Sequence, residues 1–413
     1  MTWGAGGRTI ALGMAARLSL YVHIPFCELK CSYCDFNSYA GLEGLMAPYV
    51  DALVSEARLW SQLLGRPPID TIFLGGGTPS LLPLPLLERL LSALRDVFPV
   101  LAGCEVTVEA NPGTVDADYL RGLVALGVDR LSLGVQSFHD DELRALDRLH
   151  SARAAEDAYR WARAAGLRSI NLDLIYGLPG QPLERWQATL ERAIALGPDH
   201  LSLYALTVEE GTKLAHDVAR GSAPPPDPDL QADMYEWSLE RLAAAGYEHY
   251  EISNWSRPGH RCRHNLAYWE CRPYLGLGAG AHSCLPHEGG WCRFWDTYSP
   301  RRYIRAVAQA RETPPANGPL PAVLASLPQV AGVEQVGRRE ALSEALIMGL
   351  RLVEGVSLQE LSRRFGVEAL EAFGPQIEEM KGLGLLEQRN GRLRLTRRGL
   401  LLANEVFMAL LPP

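Results

Sequence analysis

The stretch IPFCELKCSYCDF places Cys27, Cys31 and Cys34 within eight residues, with Phe36 two positions after the last of them. Thiolate is a soft ligand that suits zinc and iron–sulfur clusters. A structural zinc site takes four protein ligands, and a 4Fe–4S cube normally takes four cysteines, one per iron. Three thiols on one short loop can hold three irons and leave the fourth free for another ligand, much as a catalytic zinc site keeps one position open. The spacing predicts a cluster with an open iron, although ligand count by itself leaves zinc open. The other cysteines are Cys104, Cys262, Cys271, Cys284 and Cys292. The last four are spaced at nine, thirteen and eight residues, which fits neither a zinc knuckle nor a ribbon. They read as small buried or half-buried side chains.

A loop of this kind needs a scaffold, and the flanking sequence supplies one. Strand-like runs stand at 18–26, 70–77, 105–112, 130–138, 169–179 and 200–209. Segments such as PYVDALVSEARLWSQLL, LLERLLSALRDVF and EDAYRWARAAG lie between them, with apolar residues at helical spacing. Alternation of this type predicts a parallel sheet with helical crossovers. GGGTPS lacks the spacing of a dinucleotide-binding turn, and the chain has no Walker sequence. Polar or glycine positions instead fall at the C-terminal ends of several strands: Gly76, Glu109, Gln136 and Asp173. That is where a β/α barrel carries its chemistry. The expected fold is α/β, a partial (β/α)6 barrel.

Beyond about residue 212 come a proline-rich loop, a helix at about 229–245, and a Pro/Gly/Ala-rich linker at about 312–332. The last 80 residues read as three helices and a hairpin turning at Asn390 and Gly391, a small winged-helix-like unit. From residue 334 onward eleven Lys and Arg face eleven acidic residues. A DNA reader carries a basic surplus, so a cap packed on the core is expected and nucleic acid is not an expected partner. The implied division is 1–17 as an N-terminal extension, 18–290 as the core, 291–333 as a connecting segment and 334–413 as the small domain. A net charge of −8 argues against broad binding to nucleic acid or anionic membrane, and no run approaches the ~20 apolar residues of a membrane span. The apolar IALGMAA is too short for a signal-peptide core; Met14 offers an alternative start. Grouped thiols stay reduced for metal in the cytosol, so the expected location is cytoplasmic.

A three-cysteine loop directly after the first strand resembles the signature of the radical S-adenosylmethionine (SAM) superfamily. That resemblance implies a 4Fe–4S cluster on Cys27, Cys31 and Cys34, a SAM molecule chelated to the open iron, and a reductant for the cluster. It also implies a partial (β/α)6 barrel, the fold reached above from the strand pattern. By the same resemblance Tyr21 is a SAM contact, Gly76, Gly77 and Thr78 form the turn lying against SAM, and Glu109 contacts its hydroxyls. Gln136, Arg148 and Asp173 match residues around a second SAM. Taken alone, Glu109 or Asp173 reads equally as a buried hydrogen-bonded carboxylate and Arg148 as a surface residue; their grouping at strand ends favours a site.

The motifs YVHIPFC, GGGTPS, VEANPG, LSLGVQSF, RLHS and LDLIYGLPGQ cover about residues 20 to 290. Together they resemble the branch that contains oxygen-independent coproporphyrinogen III oxidase and the HemW heme chaperones. The oxidases carry a fourth cysteine where this chain has Phe36, and a longer N-terminal arm. HNLAYW, in contrast, matches the HNxxYW motif of the chaperones. The resemblance therefore implies a heme-binding chaperone that passes heme to an acceptor protein, the alternative being the oxidative decarboxylation of coproporphyrinogen III. SAM cleavage lies within either chemistry, and no residue is assigned as catalytic. His264 is the expected heme contact, since neutral imidazole is a common axial ligand, with Tyr268 and Trp269 offering flat faces. His282 is a second candidate.

Overall fold

The structure is a computed structural model and describes residues 17–311 and 318–412. The N-terminal extension, Met14 included, lies outside the described residues except for Arg17, as do residues 312–317 of the expected linker.

Six strands run parallel in sequence order: β1 (Leu18–Ile24), β2 (Ile69–Gly76), β3 (Val100–Ala110), β4 (Arg130–Gln136), β5 (Ser169–Tyr176) and β6 (His200–Ala205). In β1, Leu18, Leu20, Val22 and Ile24 are fully buried, as suits strands covered by helices. The alternate residues Ser19, Tyr21 and His23 project to the other face, because successive side chains of a strand point to opposite sides. The same alternation puts Glu105, Glu109, Ser132, Asn171, Asp173 and His200 on the inner face. There Ser132, Asn171, Asp173 and His200 form one network: Ser132 Oγ donates to Asp173 at 2.9 Å, and Asn171 Nδ2 to Ser132 Oγ at 2.7 Å. The crossovers are helices such as Met46–Leu63, Leu84–Val97, Ala152–Ala165 and Leu183–Leu196. Ala152–Ala165 starts on Ser151, whose side chain accepts from Ala154 N, and stops at Gly166 with φ 90°.

The sheet goes further than the six units expected. Strands β7 (Glu248–Glu251) and β8 (Asn254–Ser256) extend it beyond β6. On the other side β9 (Tyr274–Leu277) pairs parallel with β1 and is followed by antiparallel β10 (His282–His287), β11 (Gly290–Asp296) and β12 (Val330–Val336). Residues 291–333 therefore carry two strands and the helices Pro300–Ala310 and Leu320–Ala325, hydrogen-bonded and packed into the main body, and the expected division at 334 falls inside β12. The physical reason is burial. Phe294, Tyr303, Val307, Leu320 and Leu324 join the main core, and Tyr303 donates to the buried Glu56 at 2.6 Å, a carboxylate that also accepts from Gly278 N at 2.9 Å.

The final helices, Arg338–Leu350, Leu358–Phe365 and Ala369–Gly382, enclose a second core with the hairpin of β13 (Leu386–Arg389) and β14 (Arg392–Leu395). Asn390 and Gly391 both take positive φ, 52° and 76°, as a two-residue turn of that type requires. This winged-helix-like unit packs on the core as a cap. Arg364 donates to the carbonyls of Glu270 and Cys271 and lies over Trp291. Among the described residues no helix is long and apolar enough to cross a membrane.

Candidate functional site

At the C-terminal ends of the parallel strands a cleft of about 470 Å³ opens beneath the cysteine loop. It gathers Cys27, Cys31 and Cys34 with Gly76, Gly77, Thr78, Glu109, Gln136, Arg148 and Asp173. The glycines are there for space. A Cβ on Gly77 would stand 2.7 Å from the carbonyl of Phe26, 2.9 Å from that of Ile24 and 3.1 Å from Cys27 Sγ. Gly76 holds φ 110°, and a side chain there would collide with the His23 ring. Gln136, ending β4, takes φ 68°, a conformation uncommon outside glycine that turns the chain at the cleft wall.

Arg148 ties the two halves of the site together. One guanidinium nitrogen donates to Cys31 Sγ at 3.4 Å; the other donates to Gly134 O at 2.7 Å and to Asn111 Oδ1. Asn111 in turn donates to Thr78 Oγ1 at 3.0 Å, and Thr78 Oγ1 faces Cys27 Sγ at 3.6 Å. Among the described residues no three His, Cys, Asp or Glu side chains converge as a single bound ion demands. The three half-buried thiols sit along one rim of the cleft, which suits one thiolate per iron of a cube.

Burial drives the carboxylates of the cleft toward their neutral forms. Glu109 accepts from Gly76 N at 3.0 Å, yet burial and the neighbouring Asp173 push its carboxyl up to about 7. Asp173 is raised by burial against its bonds from Ser132 and Asn171. Two neighbouring carboxyls both pushed toward the neutral form in a cleft mark a candidate site for hydrogen-bond donors or a cation.

A second cavity, about 370 Å³, lies on the other side of Gly76 and Glu109. Tyr21 lines this cavity and not the first. His264 lines neither. It is 1% exposed, its Nδ1 pairs with Thr71 Oγ1 at 2.8 Å, and its Nε2 pairs with Tyr268 Oη at 2.9 Å. With both ring nitrogens taken, the expected heme contact has no lone pair to offer an iron, and burial lowers its pKa to about 3. Trp269 is likewise turned away, its ring covered by the Arg351 guanidinium at 4.4 Å. The helix Arg263–Trp269 is a plug: Glu105 accepts from Arg263 N and His264 N at 3.2 and 3.1 Å, a carboxylate at a helix N-terminus.

Residues 21–193 match the model of the radical SAM superfamily, and residues 336–402 match the HemN C-terminal domain. The heme chaperone HemW of Mycobacterium tuberculosis is 40% identical over 395 residues, 95% of this chain and 94% of the relative. The heme chaperone HemW of Escherichia coli is 37% identical, covering 95% and 98%. The chain belongs to the HemW family. The mouse mitochondrial radical S-adenosyl methionine domain-containing protein 1 is also 37% identical, covering 96% and 88%. The solved structure of Escherichia coli coproporphyrinogen III oxidase (HemN), described as a radical SAM enzyme, shares the fold with a TM-score of 0.80 over 96% of this chain and 90% of that one, at 24% identity.

Sequence reasoning brought most of this HemW-family cleft together and missed Asn111. The signal was present, since Asn111 stands in VEANPG two residues after Glu109 and one after the end of β3. Of the second cavity the sequence flagged Tyr268 and His282 as heme candidates and Tyr21 as a SAM contact, but nothing in it brought the three together. Tyr21, His23, Tyr268, Tyr274 and His282 come from segments far apart in the chain.

Proposed function

We propose that the chain binds heme and hands it to an acceptor protein, and that its barrel holds a 4Fe–4S cluster and SAM in the first cleft. One observation carries this function: near full-length likeness to heme chaperones, in a chain whose three grouped thiols all open on one cleft. When bound, the cluster supplies single electrons and SAM a cleavable sulfonium. Cys27, Cys31 and Cys34 would ligate three irons, with Arg148 donating to Cys31 Sγ. The turn of Gly76, Gly77 and Thr78 would let backbone come close to SAM, and Glu109 would accept from its hydroxyls. Gln136 and Asp173 complete the polar wall. The main body, with residues 291–333 packed into it, would do this work, and the helices from Arg338 onward would cap it. The cytoplasm is the compartment where such thiols stay reduced; a reductant for the cluster and a heme acceptor are the implied partners.

The decisive comparison runs two anaerobic assays on the reconstituted full chain with reductant and SAM. Heme transfer to an apo-hemoprotein is expected, and conversion of coproporphyrinogen III is not. Phe36 stands where the oxidase pattern has cysteine, and small misplacements of a substrate from a reacting centre can cost ~100-fold in rate. Robust porphyrinogen turnover without heme transfer would overturn the chaperone function in favour of the oxidase.

The Glu109 site sets a pH dependence. Near pH 7 its carboxyl is about half protonated. Hydroxyls donating to it favour the ionised form, so SAM binding drives a proton off and affinity should rise as pH is raised through 7. Glu109→Gln, which has no charge to ionise, should flatten that profile. Losing a hydrogen bond to a charged group costs ~1.5–3 kcal/mol, about 10- to 150-fold in affinity. Equilibrium dialysis on either side of pH 7 measures both effects; a flat profile in the unaltered chain would remove Glu109 from the SAM site.

A further inference from the structure

We propose that the second cavity is the heme cleft and that His282 supplies the axial nitrogen, an inference that rests on the heme-chaperone function above. The cavity is lined by Tyr21, Tyr268, Tyr274, Phe36 and two histidines, His23 and His282. Its volume of about 370 Å³ lies within the ~300–1,000 Å³ of small-molecule sites. Ligand pockets of this kind are mostly apolar and aromatic, with a few placed polar groups. A porphyrin needs such flat walls for its faces, one donor for its iron, and an open side through which a cargo can leave.

The two histidines differ in one respect that decides between them. His23 has both nitrogens engaged, Nδ1 with Tyr21 Oη at 3.0 Å and Nε2 with the carbonyl of Asn37 at 2.8 Å. His282 is exposed and has no hydrogen-bond partner among the described residues. It is nonetheless held in place. Opening β10, it pairs across the hairpin with Trp295 of β11, and the two rings stack at 5.5 Å with planes 19° apart. Partial desolvation against the cavity wall and the nearby Arg293 also lower its pKa, which favours the neutral imidazole and leaves its lone pair available. A fixed, neutral imidazole with open nitrogens on an aromatic cavity is the donor a heme iron takes.

Phe36 supports the same occupant. Its ring is 60% exposed, and it stands between Cys34 and Ser38 on the edge shared by both cavities. An exposed aromatic on a concave wall is a costly feature without a ligand to cover it and a natural face for a porphyrin. Gly76 and Glu109 line both cavities as well. Heme and SAM would thus lie on opposite sides of one wall, in contact with the same strand ends.

The test is hemin titration of the full chain with its cluster reconstituted, read by the Soret band, by the low-spin EPR signal and by affinity. His282→Ala should shift the Soret band, convert the low-spin signal and weaken binding by at least about tenfold, with exogenous imidazole restoring the spectrum. His282→Met should give a different spectrum with binding kept, since a thioether replaces the nitrogen. His216→Ala, removing an exposed histidine that lines neither cavity, should change nothing. Wild-type spectra and affinity in both His282 variants would overturn this assignment and leave the chaperone function standing, the more so if His264→Ala altered them instead. Failure of the unaltered chain to bind hemin at all would overturn the chaperone function, and the cleft with it.

Discussion

Replacing Cys27, Cys31 and Cys34 together with alanine should give a folded, colourless protein after anaerobic reconstitution, with iron content reduced to background. The thiols are half-buried on a loop rim and belong to no apolar core. The loop is held by other bonds. Asn37 Nδ2 donates to the carbonyls of Ala279 and Tyr298 at 2.9 and 3.0 Å, Tyr39 N to Pro25 O at 2.8 Å, and Leu214 N to Ser32 O at 2.8 Å. Arg148 keeps Gly134 and Asn111 when Cys31 is gone. Far-ultraviolet circular dichroism should therefore match the unaltered chain while the brown chromophore is lost. The remaining five cysteines are free thiols. Normal cluster uptake by the triple variant would place the ligands among them and remove the basis of the first cleft.

Gly77→Ala should disable the site through a single methyl group. That methyl would meet two backbone carbonyls and the Cys27 thiol inside 3.2 Å, and backbone cannot swing aside as a flexible side chain can. Forcing extra volume into a filled space costs ~1–3 kcal/mol, about 5- to 150-fold in occupancy, and here the displacement falls on Cys27 and on the turn expected to cradle SAM. Cluster occupancy should fall, and the SAM-induced change in the EPR spectrum of the reduced cluster should be lost. Gly44→Ala is the control, since a Cβ there meets nothing within 4 Å. Equal cluster content and an equal EPR response in the two variants would show that the 76–78 turn does not bear on the site.

Particular residues show what could be read without coordinates. The spacing of Cys27, Cys31 and Cys34 carries soft-ligand chemistry in itself, because a loop that short keeps its thiols together in any fold. Strand periodicity placed β1 to β6 within a few residues of their observed ends. Glu109, Gln136 and Asp173 then had to meet at one end of the sheet, since parallel strands in sequence order share a C-terminal edge. The Asn390 and Gly391 turn was equally local, a demand for two positive φ angles.

The edges of the sheet and the second cavity were decided elsewhere. Strands β10 to β12 carry Pro286, Gly290 and Gly332, and become strands by pairing with one another against β9. Glu56 draws Gly278 and Tyr303 to it across 222 and 247 residues, binding a supposed connector into the core. His264 makes the same point for function. Its motif reads as a ligand, but Thr71, 193 residues earlier in the chain, closes one nitrogen and Tyr268 closes the other. A sequence states which atoms can donate a lone pair. Whether that lone pair is still free depends on what the fold brings within 3 Å of it, and here the fold left open His282 and not His264.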